Sequence, residues 1–462
     1  MTIMVKSEGN NKYLHFISYL QLSNWSVQHL FDNIFSYSDK YELIEIGIFL
    51  TRNKTRIEIK DEDEYKRVTI KTNNGGIFLR DVVKGSVIGT KKQFIISEGQ
   101  FLLSKIDARN GAFGVVPKEL DNGIITGNFW AFNVNHSIIN PYFLSLLTTT
   151  PNFINFSEKT SSGTTNRRYL QEKLFLSQKI PLPSLSEQKK FIDNYNTSIF
   201  QAEMQEQQIE VMEKTIEDYL CEMLGIRQTG NQKLEKGKIY LFDFSSLQEW
   251  SMDRLIGCNK YQSHKYDVHS FVTNPNLSIE IFRGKSPKYK SQSKSFVINQ
   301  KCNRWNEIDL NYAKSVDTDW LNTIDKSLFT KEGDIIINST GEGTLGRAST
   351  VTNDYTNLLC DSHILLLRVN SSLLYPDFLT FVFNSFYGQQ QVDFLKSAQS
   401  TNQTELGIDN LKKILFPLPP LSVQKEIVNH IKLMKEQIKN LRQSAIEHKK
   451  NAIMEFEKEI FK

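Results

Sequence analysis

Nine residues near the middle of the chain return near its end. Positions 181–189 read PLPSLSEQK and positions 417–425 read PLPPLSVQK. Each copy closes a stretch of strand-like sequence and opens a long amphipathic one. Proline favours extended backbone, in itself and in the residue before it, and is excluded from helix interiors, so each motif marks a junction between a folded domain and a helix. Six further matches keep the same order. Trp25-Ser26 pairs with Trp250-Ser251, Lys40-Tyr41 with Lys265-Tyr266, and Glu98-Gly99 with Glu332-Gly333. NGAFG (110–114) pairs with EGTLG (342–346), PYFL (141–144) with PDFL (376–379), and Thr165-Asn166 with Thr401-Asn402. The period is far too long for a solenoid repeat and reads as a duplicated domain plus helix.

The chain has 462 residues, enough for two to four domains, and its 39% apolar content supports sizeable cores. Cys221, Cys258, Cys302 and Cys360 are scattered, so neither a disulfide framework nor a zinc ribbon is expected. The sequence lacks a leader-type apolar segment at its start and any run of membrane-spanning length, which predicts a cytoplasmic protein with no membrane partner. Net charge is only +4, so a nucleic-acid surface has to be local.

Helical periodicity follows each motif. Ile427, Ile431, Met434, Ile438, Leu441 and Ala445 step 4-3-4-3-4, the seam of a coiled coil. Beyond Ala445 the seam is expected to move to Ile446, Ile453, Phe456 and Ile460. The first helix carries Ile192, Tyr195, Ile199 and Ala202, then, after a Glu/Gln-rich interruption, Ile209, Met212, Ile216, Tyr219 and Met223, with Gly225 as its stop. Ser184 and Glu187 have capping-box spacing, and Ser422 is the cap candidate of the second helix. Narrow seams predict that the two helices pair; the alternative is that each packs on its own domain. From Ser186 to Met223 such a rod measures roughly 57 Å at 1.5 Å per residue, against about 34–36 Å for one turn of B-DNA. Boundaries follow at 1–183, 184–225, 226–419 and 420–462, giving a mixed α/β chain of two β-rich domains, each followed by a long helix.

Short β-branched runs dominate both domains: FIIS (94–97), FLLSKI (101–106), IIINST (335–340) and HILLLRV (363–369), with short helices at 140–150 and 375–387. Residues 282–305 carry Arg283, Lys285, Lys288, Lys290, Lys294, Lys301 and Arg304 without an acidic residue, interleaved with Tyr289, Phe296 and Trp305. Cations of this kind neutralise phosphates, while amides such as Asn299, Gln300 and Asn303 reach base edges. The first domain offers Lys71, Arg80, Lys84, Lys91, Lys92, Lys105 and Arg109. A polar cluster precedes each helix: Asn166, Arg167 and Arg168 in one copy, Asn402 and Gln403 in the other. Arg347 follows the EGTLG turn. The alternative for each stretch is a solvated face or an ordinary polar turn.

No catalytic constellation stands out. GEGTLG (341–346) fits GxGxxG, but the β-branched ASTVTNDYT that follows is not the helix a dinucleotide phosphate requires, so a turn is expected. Asp361 and His363 lie two apart on an expected strand and read as structural.

A strand-rich domain ending in PLPxLxxQK and a long helix, present twice, together with SKIDARNGAFGVV (104–116), resembles the specificity (S) subunits of type I restriction–modification systems, the HsdS family. The resemblance implies a non-catalytic chain with two target-recognition domains reading a bipartite site on double-stranded DNA, and two helical spacers paired as an antiparallel coiled coil with pseudo-twofold symmetry. It also implies docking of two methyltransferase (M) subunits and of restriction/motor (R) subunits. Gln188, Ile192, Ile199, Ile209, Ile216, Gln424, Ile431 and Ile438 are the residues assigned to the helix seam and subunit docking. No cofactor is expected on this chain; S-adenosylmethionine belongs to the M subunits, ATP and Mg to the R subunits. Val423 departs from the acidic residue at Glu187, and Glu206 and Glu213 interrupt the first seam. Two other classes remain open: a self-contained DNA methyltransferase or nuclease, and a protein scaffold that binds no DNA.

Overall fold

The computed structural model describes residues 37–164, 167–226, 261–341, 343–398 and 404–461. Trp25-Ser26, Trp250-Ser251, Cys258, Thr165-Asn166 and Thr401-Asn402 fall outside them. Two compact units divide the chain: Met1–Gln205 with Ser444–Lys462, and Glu206–Gln443.

In the first unit the order is β1 (Leu43–Glu45), α1 (Ile46–Phe49), β2 (Leu50–Asn53), β3 (Arg56–Glu58), β4 (Glu64–Ile70), β5 (Ile77–Lys84), β6 (Lys92–Ile95), β7 (Phe101–Ser104), β8 (Phe113–Val115), β9 (Ile124–Ile125) and β10 (Phe129–Val134). Then come α2 (Pro141–Thr148), α3 (Pro151–Lys159), β11 (Ser161–Thr164), β12 (Arg167–Leu170), α4 (Glu172–Ser177), β13 (Lys179–Pro181) and the start of α5 (Leu185–Leu224). The central antiparallel sheet has the order β2-β10-β7-β8. Successive side chains of a strand face opposite ways, and here both faces are covered. Phe101, Leu103 and Phe132 enter one core with the helices, while Leu102 and Ala131 enter another. A five-stranded sheet, β3-β6-β9-β4-β5, is added beside it.

The second unit repeats the plan. Its elements are β14 (Val268–His269), β15 (Ser278–Arg283), β16 (Phe296–Ile298), β17 (Lys314–Ser315), α6 (Thr318–Asn322), β18 (Ile335–Asn338), β19 (Ala348–Thr350), β20 (Leu359–Cys360) and β21 (Ile364–Val369). They are followed by α7 (Pro376–Asn384), α8 (Phe386–Leu395), β22 (Ser397–Ala398), β23 (Thr404–Glu405), α9 (Ile408–Lys412), β24 (Phe416–Pro417) and α10 (Leu421–Ile460). Sheet order β15-β21-β18-β19 reproduces that of the first unit. Its two cores likewise divide alternate residues: Ile335, Ile337, Leu365 and Leu367 on one side, Ile336, Ile364 and Leu366 on the other. The additions differ, since here a three-stranded sheet, β17-β16-β20, stands where the first unit has five strands. The duplicated scaffold is kept and the inserted sheets have diverged.

Both long helices form as expected, 40 residues each. Their segments pair inside each unit, running antiparallel. In the first, Phe191 meets Phe456 edge-on with ring centroids 5.6 Å apart, and the Gln205 amide donates to Ser444 Oγ (2.9 Å). In the second, Tyr219 packs on His430 (4.3 Å), Glu213 ion-pairs with Arg442, and Ile209, Ile431 and Ile438 are buried. Gly225 ends α5 at φ +65°, and the Ile226 N–H returns to the Cys221 carbonyl, the Schellman closure that a left-handed residue permits.

Ser184 and Glu187 form the reciprocal capping box: each backbone N–H donates to the other's side chain. Three expectations need correction. Ser422 is not a cap, because α10 begins one residue earlier, at Leu421, and the carbonyl of Pro420 accepts the first N–H groups. Ile446 does not carry the seam beyond Ala445: it is 61% exposed, while Ala452, Phe456 and Ile460 are buried. The glycine alignment of NGAFG with EGTLG is also out of register. Strand pairing sets Leu103 opposite Phe113 and Ile337 opposite Ala348, so the partner of Gly111 is Gly346, both at positive φ just ahead of the strand. Gly114 lies inside β8, opposite Leu102. The GxGxxG match is the β18–β19 turn, as expected: Gly341, Gly343 and Gly346 all take positive φ and β19 follows.

Candidate nucleic-acid interface

The twin motif glutamines hold each helix to its domain. Gln188 is fully buried; its amide donates to the carbonyls of Pro183 (2.8 Å) and Ile138 (3.2 Å), and its Oε1 accepts from Asn140 N–H (2.7 Å). Gln424 repeats this with Pro419 (2.9 Å), Leu373 (3.1 Å) and Tyr375 N–H (2.7 Å). Both accepted N–H groups lie where α2 and α7 begin, so the clamp fixes helix against helix. Grouped by sequence with the seam, these two side chains instead point into their own domains. Ile192, Ile199 and Ile216 are half-buried.

A second shared frame sits at the end of each central sheet. In the first unit Lys105 N–H donates to the Asn128 carbonyl (3.0 Å), and Leu170 N–H donates to the Lys105 carbonyl (2.8 Å). In the second, Ser339 N–H donates to the His363 carbonyl (2.9 Å), and Leu406 N–H to the Ser339 carbonyl (2.9 Å). The same backbone bonds thus gather the β7–β8 or β18–β19 turn, the residue ahead of β10 or β21, and the residue that ends β12 or follows β23. In each unit, backbone bonds thereby join segments that are distant in sequence.

On this frame the first unit places Lys105, its Nζ 5.3 Å above the exposed ring of Tyr169, with the half-buried Arg168 next to it in sequence. Arg109 belongs to the same turn, and the turn after Lys71 is hydrogen-bonded to it through Asn73 and Asn74. Lys71 itself lies over Phe78 (4.7 Å). Arg167 lies on β12, and Asn166 falls outside the described residues. Lys91 is engaged by Asp61 and the Gly85 carbonyl; Lys92 and Arg80 are exposed on β6 and β5. Arg80 and Lys92 belong to the added sheet, and Lys91 immediately precedes β6.

In the second unit two arginines lie on aromatic faces: Arg304 over Tyr312 (4.3 Å) and Arg347 over Trp305 (5.5 Å). Burial, and then the nearby Arg304 charge, hold the Arg347 guanidinium below its ordinary pKa. Tyr312 and Trp305 are both more than two-fifths exposed, and the two arginines lie half-buried against them, Arg347 Nη2 donating to the Gly343 carbonyl (3.1 Å). Such stacking orients a guanidinium while its edge stays available. Lys285, Lys288, Lys294 and Lys301 are exposed nearby in sequence, and Lys290 pairs with Asp317 (3.0 Å). Arg283 is committed inward, to Glu405 of the hairpin and the Ser362 carbonyl. Asn402 and Gln403 fall outside the described residues.

Arg52 has no counterpart among the residues expected from sequence. It lies between Trp130 (5.1 Å) and Phe132 (5.3 Å), and burial pulls its pKa down to about 10 despite Glu172. Asn128 is likewise unmarked in the sequence, and Asp361 and His363, expected on a strand, form the turn between β20 and β21. Neither a lone asparagine nor an arginine within LTRN carries a sequence signal. Among the described residues no group of His, Cys, Asp and Glu comes together to hold a metal, and no helix is long and apolar enough to cross a membrane.

Two like units, each a central sheet with the same backbone frame and a long helix clamped to it by a buried glutamine, define a protein built on a duplicated domain. The family model of the type I restriction modification DNA specificity domain matches residues 39–214 and again 279–448, and the chain belongs to that family, the specificity subunits of type I restriction–modification systems. Subunits of this family recognise DNA and are not catalytic. A solved structure from work on complex assembly and conformational transition of the type I R-M system is similar at TM-score 0.55 and 15% identity, covering 90% of this chain and 96% of that one. The HsdS subunit from Thermoanaerobacter tengcongensis (TM-score 0.42, 15% identity, 90% and 95% coverage) and the type I S subunit from M. genitalium (0.45, 12%, 92% and 96%) are also similar. No curated protein matches the sequence.

Proposed function

We propose that this chain reads a bipartite site on double-stranded DNA, one half through each unit, within a cytoplasmic complex where it docks two methyltransferase subunits and the restriction/motor subunits. The observation that carries this reading is the repeated frame at the end of each central sheet. A single architecture with two different sets of side chains suits a target with two different halves. Lys71, Lys105, Arg109 and Arg168 on one unit, and Lys285, Lys288, Lys294, Lys301, Arg304 and Arg347 on the other, are the phosphate and base contacts this reading assigns. Arg167 on β12 joins them, as do Asn166, Asn402 and Gln403, which are assigned by sequence alone; Arg80, Lys91, Lys92, Lys290 and Arg283 are supporting charges.

Partner docking falls to residues the helix pairing leaves outside. Phe200 and Met204 in the first unit, and Val211 and Leu433 in the second, are large apolar side chains exposed on α5 and α10. The buried Ile209, Ile431 and Ile438 hold the helices together instead. S-adenosylmethionine, ATP and Mg then act on the partner subunits.

Salt titration of DNA binding by the assembled complex tests this. With about six phosphate contacts, affinity falls roughly a thousandfold between 50 and 200 mM salt. Arg304→Ala and Arg347→Ala should each flatten the salt slope by about one. Salt-independent binding would overturn the proposal.

A further inference from the structure

We infer that Asn128 and His363 are equivalent base-reading residues, one for each half of the DNA site. The inference rests on the half-site reading proposed above and deepens it. Strand register carries the equivalence: Phe132 pairs with Phe101 as Leu367 pairs with Ile335, so β10 and β21 occupy the same place, and Asn128 and His363 each immediately precede them. Each gives its carbonyl to the turn of the shared frame, from Lys105 N–H in one unit and Ser339 N–H in the other. The backbone at both positions is therefore pinned, while both side chains are exposed. A fixed backbone with an exposed, exchangeable side chain is what sequence readout needs, because a base pair is distinguished by hydrogen-bonding groups held at a set place.

The two side chains differ in what they can read. An asparagine amide offers a donor and an acceptor side by side, the complement of adenine N6 and N7. His363 is oriented further by its neighbours: Nδ1 lies 2.8 Å from Thr340 Oγ1, which lies 3.4 Å from Gln300 Oε1. With the threonine hydrogen directed to Gln300, Nδ1 carries the imidazole hydrogen and Nε2 is left as an acceptor. An acceptor there selects an exocyclic amino group, adenine N6 or cytosine N4. A cationic residue stands beside each position, Lys105 through its N–H to Asn128 and Lys285 through its bridge to Asp361 in the His363 turn, so phosphate contacts set the register in which these residues meet base edges.

The experiment maps the methylated motif in cells carrying the complete complex with the unaltered chain, Asn128→Ala, His363→Ala or His363→Asn. Asn128→Ala should relax one position in one half-site, with discrimination there falling roughly tenfold or more. His363→Ala should relax one position in the other half, and His363→Asn should restore selectivity there, for adenine. An unchanged motif in both alanine variants overturns the inference and leaves the half-site reading standing. So does methylation that falls evenly at every position, including for His363→Asn. The absence of a bipartite motif with the unaltered chain overturns the half-site reading itself, and the inference with it.

Discussion

The two units solve one structural problem with different chemistry, and exchanging the solutions is a sharp test of their equivalence. In the second unit Arg368 on β21 is buried, 8% exposed, against Asp334, 4% exposed. Arg368 Nε donates to both carboxylate oxygens (3.1 and 3.3 Å), Nη1 to Glu280 (2.7 Å) and Nη2 to the Phe329 carbonyl (2.7 Å). Asp334 Oδ2 also accepts from Lys331 N–H (2.7 Å). At the matching place in the first unit Gln100 donates to Asn133 (2.7 Å) and accepts from Ser97 N–H (3.0 Å). The geometry is retained, and an ion pair replaces an amide pair. Burial still holds the Asp334 carboxyl above the ordinary carboxylate range, so desolvation outweighs the pairing. Asp334→Ala leaves a guanidinium buried with one half-exposed carboxylate, Glu280. Breaking a buried pair costs about 3–5 kcal/mol, and the remaining Glu280 contact puts this case at the lower end, about 3 kcal/mol. For a unit of this size that is a fall of roughly 6–12 °C in melting temperature. The double change Asp334→Gln with Arg368→Asn imports the amide pair and removes the stranded charge. It should recover more than half of the loss in calorimetry of the full chain. A single variant within about 1 kcal/mol of the parent, or a double variant less stable than Asp334→Ala, refutes the equivalence.

Gln188→Ala and Gln424→Ala each remove three buried hydrogen bonds and should cost about 2–4 kcal/mol, read by urea unfolding, with the two losses similar in size. Ser184→Ala should lower the melting temperature by about 2–4 °C through loss of the cap, whereas Ser422→Ala, inside the first turn, should leave it nearly unchanged. Asp361→Asn should stabilise the protein at neutral pH. Burial raises the Asp361 pKa above its unfolded value, so the folded state binds the proton more tightly and stability falls as pH rises through the window between the two values. Asparagine keeps the bond from His363 N–H (3.0 Å in the parent) and removes that loss. A pH profile of melting temperature that is identical in parent and variant would contradict this.

Much of the scaffold was legible in the chain. Proline motifs, heptad seams and β-branched runs are local patterns with direct structural meaning, and α5, α10, β7, β18 and β21 fell where those patterns put them. The cap at Ser184 was readable because a capping box lies within four residues. Ser422 misled because Pro420, at the position matching Ser184, supplies no side-chain acceptor, yet its carbonyl lets the helix start at Leu421. The role of Gln188 and Gln424 was hidden, since a buried amide and a seam amide look alike in sequence and only the carbonyls of Ile138 and Leu373 tell them apart. The glycine register failed because the β18–β19 turn is one residue longer than its counterpart, which strand pairing reveals and motif matching does not. Asn128, His363 and Arg52 acquire meaning only from strands brought together across long stretches of chain.

Exchange of residues 41–180 for the corresponding segment of another family member, followed by genome-wide mapping of the methylated motif, tests the central claim most directly. A bipartite motif in which one half changes and the other is retained is the predicted result. A motif altered in both halves, or altered in neither, would contradict the account.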